Sequence, residues 1–523
     1  MHSNQNQLRH RWIDWISLVS LLLIILGSRL PLSAQDRTAE IASKLNGLDA
    51  FVEKVMTDWN APGMGVGIVV NDQLVFAKGY RYRDFEKKLP FTTSTLCPIG
   101  SNTKLFTAIA AGLLVTEGKL SWDQPIRENA PWLRFNTSEL NNSVTLRDML
   151  AHRTGLSRTD FAWYRSDFTS REMSELVKYI EPKTAIRQTF IYNNFMYVAA
   201  GQIIESQSGQ PWESFVRSRI LTPLEMNQTG FTIADLEREP DHAIPVMETR
   251  DGGKLYRLPF YRELQGIAPA GAIHSNVEEL SHWVIALLND GMYRGRQILP
   301  ASVLKATLEP AIVCQNKDLE NGFSEVLNPT YGMGRWIASY RGHRLTYHGG
   351  SIDGYISQIS MMPQEKIGVI LLFSGEHVWG LHEVVSYQIY DRLLGLNVTP
   401  WNERRLATRL KEAQAEKDAR SKVDKDKVPN TKPSHALADY VGEYEHPVYG
   451  ILKIGLKDGQ LHLESHKLQF PLIHFHYDRF DTPDDEYYGR WSVNFSTNLK
   501  GVIEKAGMTM NDSEWVFTRR SNR

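Results

Sequence analysis

Two cysteines, Cys97 and Cys314, are all that 523 residues contain. So sparse a set excludes a disulfide framework and a cysteine-built zinc site, and two buried free thiols are the simplest expectation. Cys97 stands four residues before Ser101 and is expected to pack as a small apolar side chain behind a helix. An excess of charge is missing too, because 59 Lys plus Arg stand against 60 Asp plus Glu. With no global field to draw polyanions, nucleic acid is excluded as a main partner. No fixed-period repeat is present. Long apolar runs are scarce: "WISLVSLLLIILGS", from Trp15 to Ser28, falls short of the about 20 residues that span a bilayer.

That stretch follows Arg9 and Arg11, is ended by Arg29, and has the small residues Ser33 and Ala34 beyond it. The pattern is that of a secretory signal over residues 1–35, with Leu32 an imperfect residue ahead of the cleavage point. An uncleaved signal anchor is the alternative, and no other stable membrane span is expected. On either reading the remaining chain is exported, to a periplasm, the extracellular space or the outer face of a membrane.

What is present begins with "PIGSNTKLFTAIAAGLLVTEGKL", where Ser101 and Lys104 stand at the start of a helical pattern. Positions i and i+3 share a helix face, so the lysine nitrogen can reach the serine hydroxyl. A serine hydroxyl is a weak nucleophile that needs an adjacent base, and a helix N-terminus supplies free N–H groups where an oxyanion develops. The string alone is weak evidence, since roughly one or two copies arise by chance at this length. A second copy does occur, Ser302 and Lys305 in "ILPASVLKATLEP", and reads as a capping serine and a solvent-facing lysine.

Two further elements qualify as partners. In "FIYNNFMYVAAGQIIE", Tyr192 precedes Asn194 at the entrance to a strong helix; the plain alternative is a turn in which Asn193 or Asn194 caps that helix. In "RLTYHGGSIDGY", His348 ends a strand beside Gly349 and Gly350, and glycine there lets a substrate approach the backbone. Basic-x-Gly strings also occur at Arg153, Lys366 and Lys453, so order must decide.

The chain's organisation supports one such order. "GMGVGIVV" and "QLVFAKGY" around Asn71-Asp72 form a predicted hairpin, as do "YISQISMMP" and "KIGVILLFS" around Gln364-Glu365, with helical segments dominating between. A sheet built from both ends, flanked by the first and last helices and bearing a helical subdomain, satisfies this pattern. From Glu403 to Ser434 the composition turns charged and poor in aromatics, as in a helical or disordered linker. Beyond it Leu452, Ile454 and Leu456 alternate up to Asp458-Gly459, and Leu461 and Leu463 after it, so the tail is a small all-β domain. There His474, His476 and Asp478 share a predicted strand face opposite a core-like face of Ile473, Phe475 and Tyr477. At most two of four ligands are suggested, and no metal site is predicted.

The segments "GSNTKLFTAIAAGLLVTEGKLSWDQPI", "VTLRDMLAHRTGL", "YNNFMYVAAGQIIE", "PAGAIHSNVEELSHWVIALLNDG" and "YHGGSIDGYIS" together resemble the serine β-lactamase-related hydrolases. The resemblance is to the branch of class C β-lactamases, D-alanyl-D-alanine carboxypeptidases, D-aminopeptidases and esterases, and covers roughly residues 45 to 395. It implies an antiparallel α/β/α fold with a helical subdomain and a site between them, plus a charged linker at 396–435 and a lipocalin-like β domain at 436–520. It also implies the roles. Ser101 is the nucleophile, Lys104 and Tyr192 move the proton, Asn194 holds Lys104 and the substrate amide, and His348 and Gly350 belong to the third element. The backbone N–H groups of Ser101 and Ser351 form the oxyanion hole. No cofactor is implied, and the partner is a small-molecule or short peptide substrate.

One departure bears on substrate choice, because β-lactamases carry lysine where this chain has His348. If His348 meets a substrate carboxylate, only its imidazolium supplies the cation, and an unperturbed histidine loses that charge around pH 6.5. The alternative is a neutral histidine hydrogen-bonded to Tyr192. Competing functions are a β-lactamase and a penicillin-binding or sensor protein that turns over slowly. A further expectation is that removing residues 436–523 leaves a folded hydrolase, with few contacts crossing the linker.

Overall fold

The computed structural model describes residues 34–510 and 513–521. The apolar stretch read as a signal lies outside the described residues. Among those described, no helix is long and apolar enough to cross a membrane.

Nine antiparallel strands form the central sheet. Its order is Ile312–Val313, Val326–Tyr331, Trp336–Tyr340, His343–Ile352, Tyr355–Met362, Ile367–Ser374, Gly63–Val70, Gln73–Asp84 and Leu89–Pro90. The early hairpin is therefore inserted beside the last strand, with Gly63 opposite Ser374 and Val70 opposite Ile367. Period-two alternation sends Met64, Val66, Ile68, Val369, Leu371 and Phe373 to one face, where they pack with Val52, Val55 and Val384 of the helices Leu48–Asp58 and Leu381–Leu394. Val69, Ile370 and Leu372 face the other way, into the core shared with the helix Val277–Leu288. That helix sits close: a Cβ on Gly67 would lie 2.7 Å from Val277. The expected sheet from both chain ends is what forms. Between them, the segment 138–238 supplies the helical subdomain, including Ser138–Ser143, Ser170–Leu176 and Asn194–Ser208.

The charged stretch after residue 400 is a helix, Trp401–Lys422, fastened to the hydrolase core. Trp401 is buried with its indole N–H on Asp391 at 3.0 Å, and Arg405 pairs with both Asp318 and Glu383 at 2.7 Å. Some of the charges that made the sequence read as a linker are spent on such pairs along the inner face, while those from Lys411 to Asp418 are exposed.

The tail is a closed eight-stranded barrel from Gly442–His446 to Ser513–Arg519, its first and last strands joined at Tyr444 and Arg519. Closure leaves no free edge. Leu452, Ile454, Leu461 and Leu463 point inward as their alternation predicts, whereas Leu456 is 45% exposed at the strand's end. Of the predicted core row Ile473, Phe475 and Tyr477, only Phe475 is buried, whereas Ile473 is 50% and Tyr477 57% exposed. The register shifts between His474 and His476, and that irregularity breaks the alternation. Each residue of the metal-like triad has its own structural partner. His474 contacts the Tyr477 carbonyl at 2.9 Å, His476 accepts from the Val428 N–H at 3.3 Å, and Asp478 accepts from Ser434 and Tyr440.

The barrel does not hang free, contrary to the expectation of few crossing contacts. Phe161 of the helical subdomain is enclosed by Trp515, Trp491, Tyr449 and His466, with ring centroids 5.4–6.4 Å away. The Lys467 N–H donates to the Arg165 carbonyl at 3.1 Å, Tyr487 donates to Glu376 at 2.9 Å, and Arg250 pairs with Asp484 at 2.5 Å. A linker's composition says nothing about what lies on its far side. Phe161→Ala is therefore expected to cost about 3–5 kcal/mol, read by denaturant unfolding. Deleting 436–523 should lower the thermal midpoint and increase hydrogen exchange over 158–168, and an unchanged exchange pattern would show that the contact is idle.

Candidate active site

Two glycines deliver the serine. Residues Gly100–Asn102 make one tight turn ahead of the helix Thr103–Thr116, and Gly100 has φ +50°, a region that favours glycine. A Cβ there would lie 2.8 Å from the Ser351 nitrogen, and one on Gly350 would lie 1.9 Å from the Ile99 carbonyl. The serine turn can thus lie directly against the strand His343–Ile352. Gly350 admits the protein's own backbone at the place where a substrate was expected. Asn102 then fastens the turn, donating at 2.8 Å to Ser357 Oγ, which itself donates to the Ile99 carbonyl at 2.7 Å.

Ser101 Oγ accepts from the Tyr192 hydroxyl at 2.7 Å and lies 3.0 Å from Lys104 Nζ. Lys104 has no solvent exposure, donates to the Ala270 carbonyl at 2.7 Å, and has its nitrogen 4.9 Å from the Tyr192 ring centre. Burial pushes its pKa well below the lysine range; Asp160 opposes the shift and Arg158 adds to it. Burial moves Tyr192 the other way, raising its pKa despite the Ser101 hydrogen bond and Arg158. A lysine whose charged form burial disfavours and a phenol that burial keeps protonated therefore flank one hydroxyl. The second S-x-x-K string has none of this. Ser302 and Lys305 are exposed on the short helix Ala301–Thr307, and Ser302 does not serve as the expected cap because Pro300 holds that position.

The other predicted residues differ in detail. Asn194 opens the helix Asn194–Ser208 and donates to Asp160 Oδ1 at 2.9 Å, so its amide goes to a carboxylate and the Lys104 nitrogen is held by Ala270. Asp160 is also bound by the Trp163 indole at 2.9 Å and by Arg158 at 2.5 Å, and the Arg158 guanidinium stands 5.3 Å from the Tyr192 ring centre. His348 is 6% exposed. Its Nδ1 meets the Gly349 carbonyl at 2.6 Å and its Nε2 meets the Tyr331 hydroxyl at 3.0 Å. A carbonyl only accepts, so Nδ1 carries the proton and Nε2 accepts from Tyr331. The neutral-histidine alternative named the wrong partner: Tyr192 is 6.3 Å away, ring to ring. Burial first, and Lys104 second, push the His348 pKa down to about 3 against the pull of the Gly349 carbonyl.

His152, Arg158, Asp160 and Tyr331 were missed by sequence reasoning. His152 is fully buried, accepts from the Asn193 N–H at 3.0 Å, and lies 4.3 Å from the Tyr192 ring and 5.0 Å from that of Tyr331. Its one available signal was its place in "AHRTGL", inside a segment already set aside as family-like. Arg158 stands in an irregular loop and Asp160 opens the single turn Asp160–Ala162, with no periodicity to mark either.

The family model described as Beta-lactamase matches residues 48–392, a span that contains every one of these side chains. The chain belongs to the Beta-lactamase family. Its relatives include the unguisins hydrolase ungD of Aspergillus violaceofuscus, 25% identical over 449 residues that cover 79% of this chain and 77% of that protein. Protein flp of Staphylococcus aureus is 25% identical over 357 residues, 66% of each chain. Two solved structures share the fold. The octameric penicillin-binding protein homologue from Pyrococcus abyssi has a TM-score of 0.61 at 23% identity, covering 91% of this chain and all of that one. The D-amino acid amidase from Ochrobactrum anthropi SV3 has a TM-score of 0.56 at 21% identity, covering 68% and 99%. Residues 426–519 match a model described as a domain of unknown function, DUF3471.

For this Beta-lactamase-family enzyme, the geometry at His348 sets a pH expectation. A group whose pKa is held far below 6.5 stays neutral from pH 6 to 8, so it offers no charge there to lose. The ratio of kcat/KM for a carboxylate-bearing amide to that for a neutral ester should stay flat over that range. A decline with rising pH would restore the imidazolium anchor. The same shift makes acid destabilising, because the unfolded histidine takes up the proton first: stability is fully present above pH 6.5 and falls as pH drops toward 3. At pH 5 the loss is about 2 kcal/mol for this one group, measurable as the native protein's excess loss over His348→Gln.

Proposed function

We propose that this chain is an exported hydrolase that cleaves an amide or ester bond in a small molecule or short peptide through an acyl-enzyme on Ser101. The observation that carries the reading is the pair of contacts on Ser101 Oγ, from Tyr192 at 2.7 Å and Lys104 at 3.0 Å. Lys104, its charged form disfavoured by burial, takes the serine proton as the Oγ–carbonyl bond forms. The backbone N–H groups of Ser101 and Ser351, brought together where Gly100 meets Ser351, face the oxyanion. Tyr192 keeps its proton until the leaving atom departs, gives it up, and regains one from Lys104. Water then repeats the sequence on the acyl group. Asn194, fixed by Asp160, binds the substrate, while His348, both of its nitrogens engaged by Gly349 and Tyr331, shapes the strand that carries Ser351.

An amide among the possible substrates is supported by the name of one similar protein, a D-amino acid amidase. Export rests on the stretch from Trp15 to Ser28, and is tested by the amino-terminal sequence of protein recovered from outside the cytoplasm. Ser101→Ala should abolish covalent labelling by a fluorophosphonate, while Ser302→Ala leaves it intact. The labelling rate of the native protein should rise through an apparent pKa far below 10.5, and Lys104→Arg should remove that limb. Labelling that survives Ser101→Ala and vanishes with Ser302→Ala overturns the assignment. Turnover of a chromogenic lactam, with none of an ester or a D-aminoacyl anilide, would replace the reading with that of a β-lactamase.

A further inference from the structure

Behind the serine turn lies a small cavity of about 10 Å³, walled mostly by Leu105, Trp283, Ile359 and Met361. Its polar lining includes Arg335 and Thr346, which neighbouring strands bring together: Ile337 is opposite Thr346, and Trp336 opposite Tyr347. Arg335 is 3% exposed, yet its Nε and Nη2 have no hydrogen-bond partner among the described residues. The hydroxyl of Thr346, wholly buried, has none either. Three orphan donors thus border one space.

Charge makes the arrangement more demanding than an unmet hydrogen bond. No carboxylate pairs with Arg335 among the described residues, and the charged neighbour that acts on it is a second cation, Arg344. Burial lowers the guanidinium's pKa to about 9, so it remains charged at neutral pH. A buried cation without a counter-charge is strongly unfavourable, and arginine does not escape by shedding its proton as lysine does. A water molecule would answer the N–H groups and leave the charge unbalanced. The volume matches one compact species and admits no carboxylate, phosphate or sulfate.

We propose that this cavity is an internal site for a single monatomic anion of the halide class, held by Arg335 Nε–H, Nη2–H and the Thr346 hydroxyl. The cavity is also lined by Asn102 and His348, so the ion would lie directly behind the serine turn and the third element without touching Ser101 itself. Its apolar walls also favour a weakly hydrated halide over fluoride or hydroxide, which give up water less readily.

The test uses the full-length chain, exchanged from chloride into gluconate at constant ionic strength and then crystallised with sodium bromide. An anomalous bromide peak between Arg335 and Thr346, lost in Arg335→Met, is the expected result. In solution the thermal midpoint should rise by about 2 °C or more when chloride replaces gluconate, and Arg335→Met should abolish the rise. If that variant does not fold, Thr346→Val serves in its place, with a weakened bromide peak and a smaller rise. A water with no anomalous signal at this position overturns the proposal, as does a chloride response that Arg335→Met leaves undiminished.

Discussion

The structure depends first on keeping an amine out of water without giving it a carboxylate. Lys104 is enclosed on the helix Thr103–Thr116, and its nitrogen is offered a carbonyl from Ala270, a hydroxyl from Ser101 and the faces of Tyr192 and Tyr197. A close ion pair would have stabilised the ammonium and removed its basicity; a neutral acceptor satisfies one N–H and leaves the lone pair free. Asp160 is felt only at a distance and is itself engaged by Arg158, Trp163 and Asn194. The position of that carboxylate is therefore a setting on the proposed base.

Everything that holds the serine turn follows from the same need for a dry, fixed environment. The helix bearing Lys104 is buried on nearly all sides, so its start cannot be adjusted by the helix alone. The sheet does it instead, through Ser357 on one strand and the close approach at Gly350 on the next, while Thr107 of the helix itself donates to the Pro269 carbonyl at 2.6 Å, one residue before Ala270. The early hairpin closes the sheet beside Ile367–Ser374 and so couples the two chain ends to the site.

Most of this frame was legible where a local period or a turn encodes it. Asn71-Asp72 and Gln364-Glu365 announced their hairpins because apolar strands flank them on both sides, and Ser101 with Lys104 announced itself because one helical turn sets their spacing. What failed were features fixed by distant chain. Ile473 and Tyr477 looked like core until a register shift in the closed barrel turned them outward. His348 was paired with the wrong tyrosine because Tyr331 reaches it from another strand. Arg158 and Asp160 carried no mark at all, since their loop takes its shape from groups hundreds of residues away. The charged helix misled in a similar way: its composition was that of a linker, and only distant Asp318, Glu383 and Glu248 show Arg405 and Arg409 to be fastened to the core.

That last dependence gives the barrel a role beyond bulk. Phe161 follows Asp160 directly in sequence and is held in an aromatic box made by Tyr449, His466, Trp491 and Trp515. A few residues on, Arg165 and Tyr164 both reach Asp353, two residues past Ser351, at 2.5 and 2.7 Å. The loop is thus fixed at one end by the barrel and at the other by the strand that carries the proposed oxyanion donor. Because Asp160 orients Asn194 and opposes the lowering of the Lys104 pKa, a shift of the barrel would move both the amide-binding side chain and the strength of the base. The β domain thus holds the loop that carries Asp160 at two points, the aromatic box around Phe161 and the Lys467 N–H on the Arg165 carbonyl.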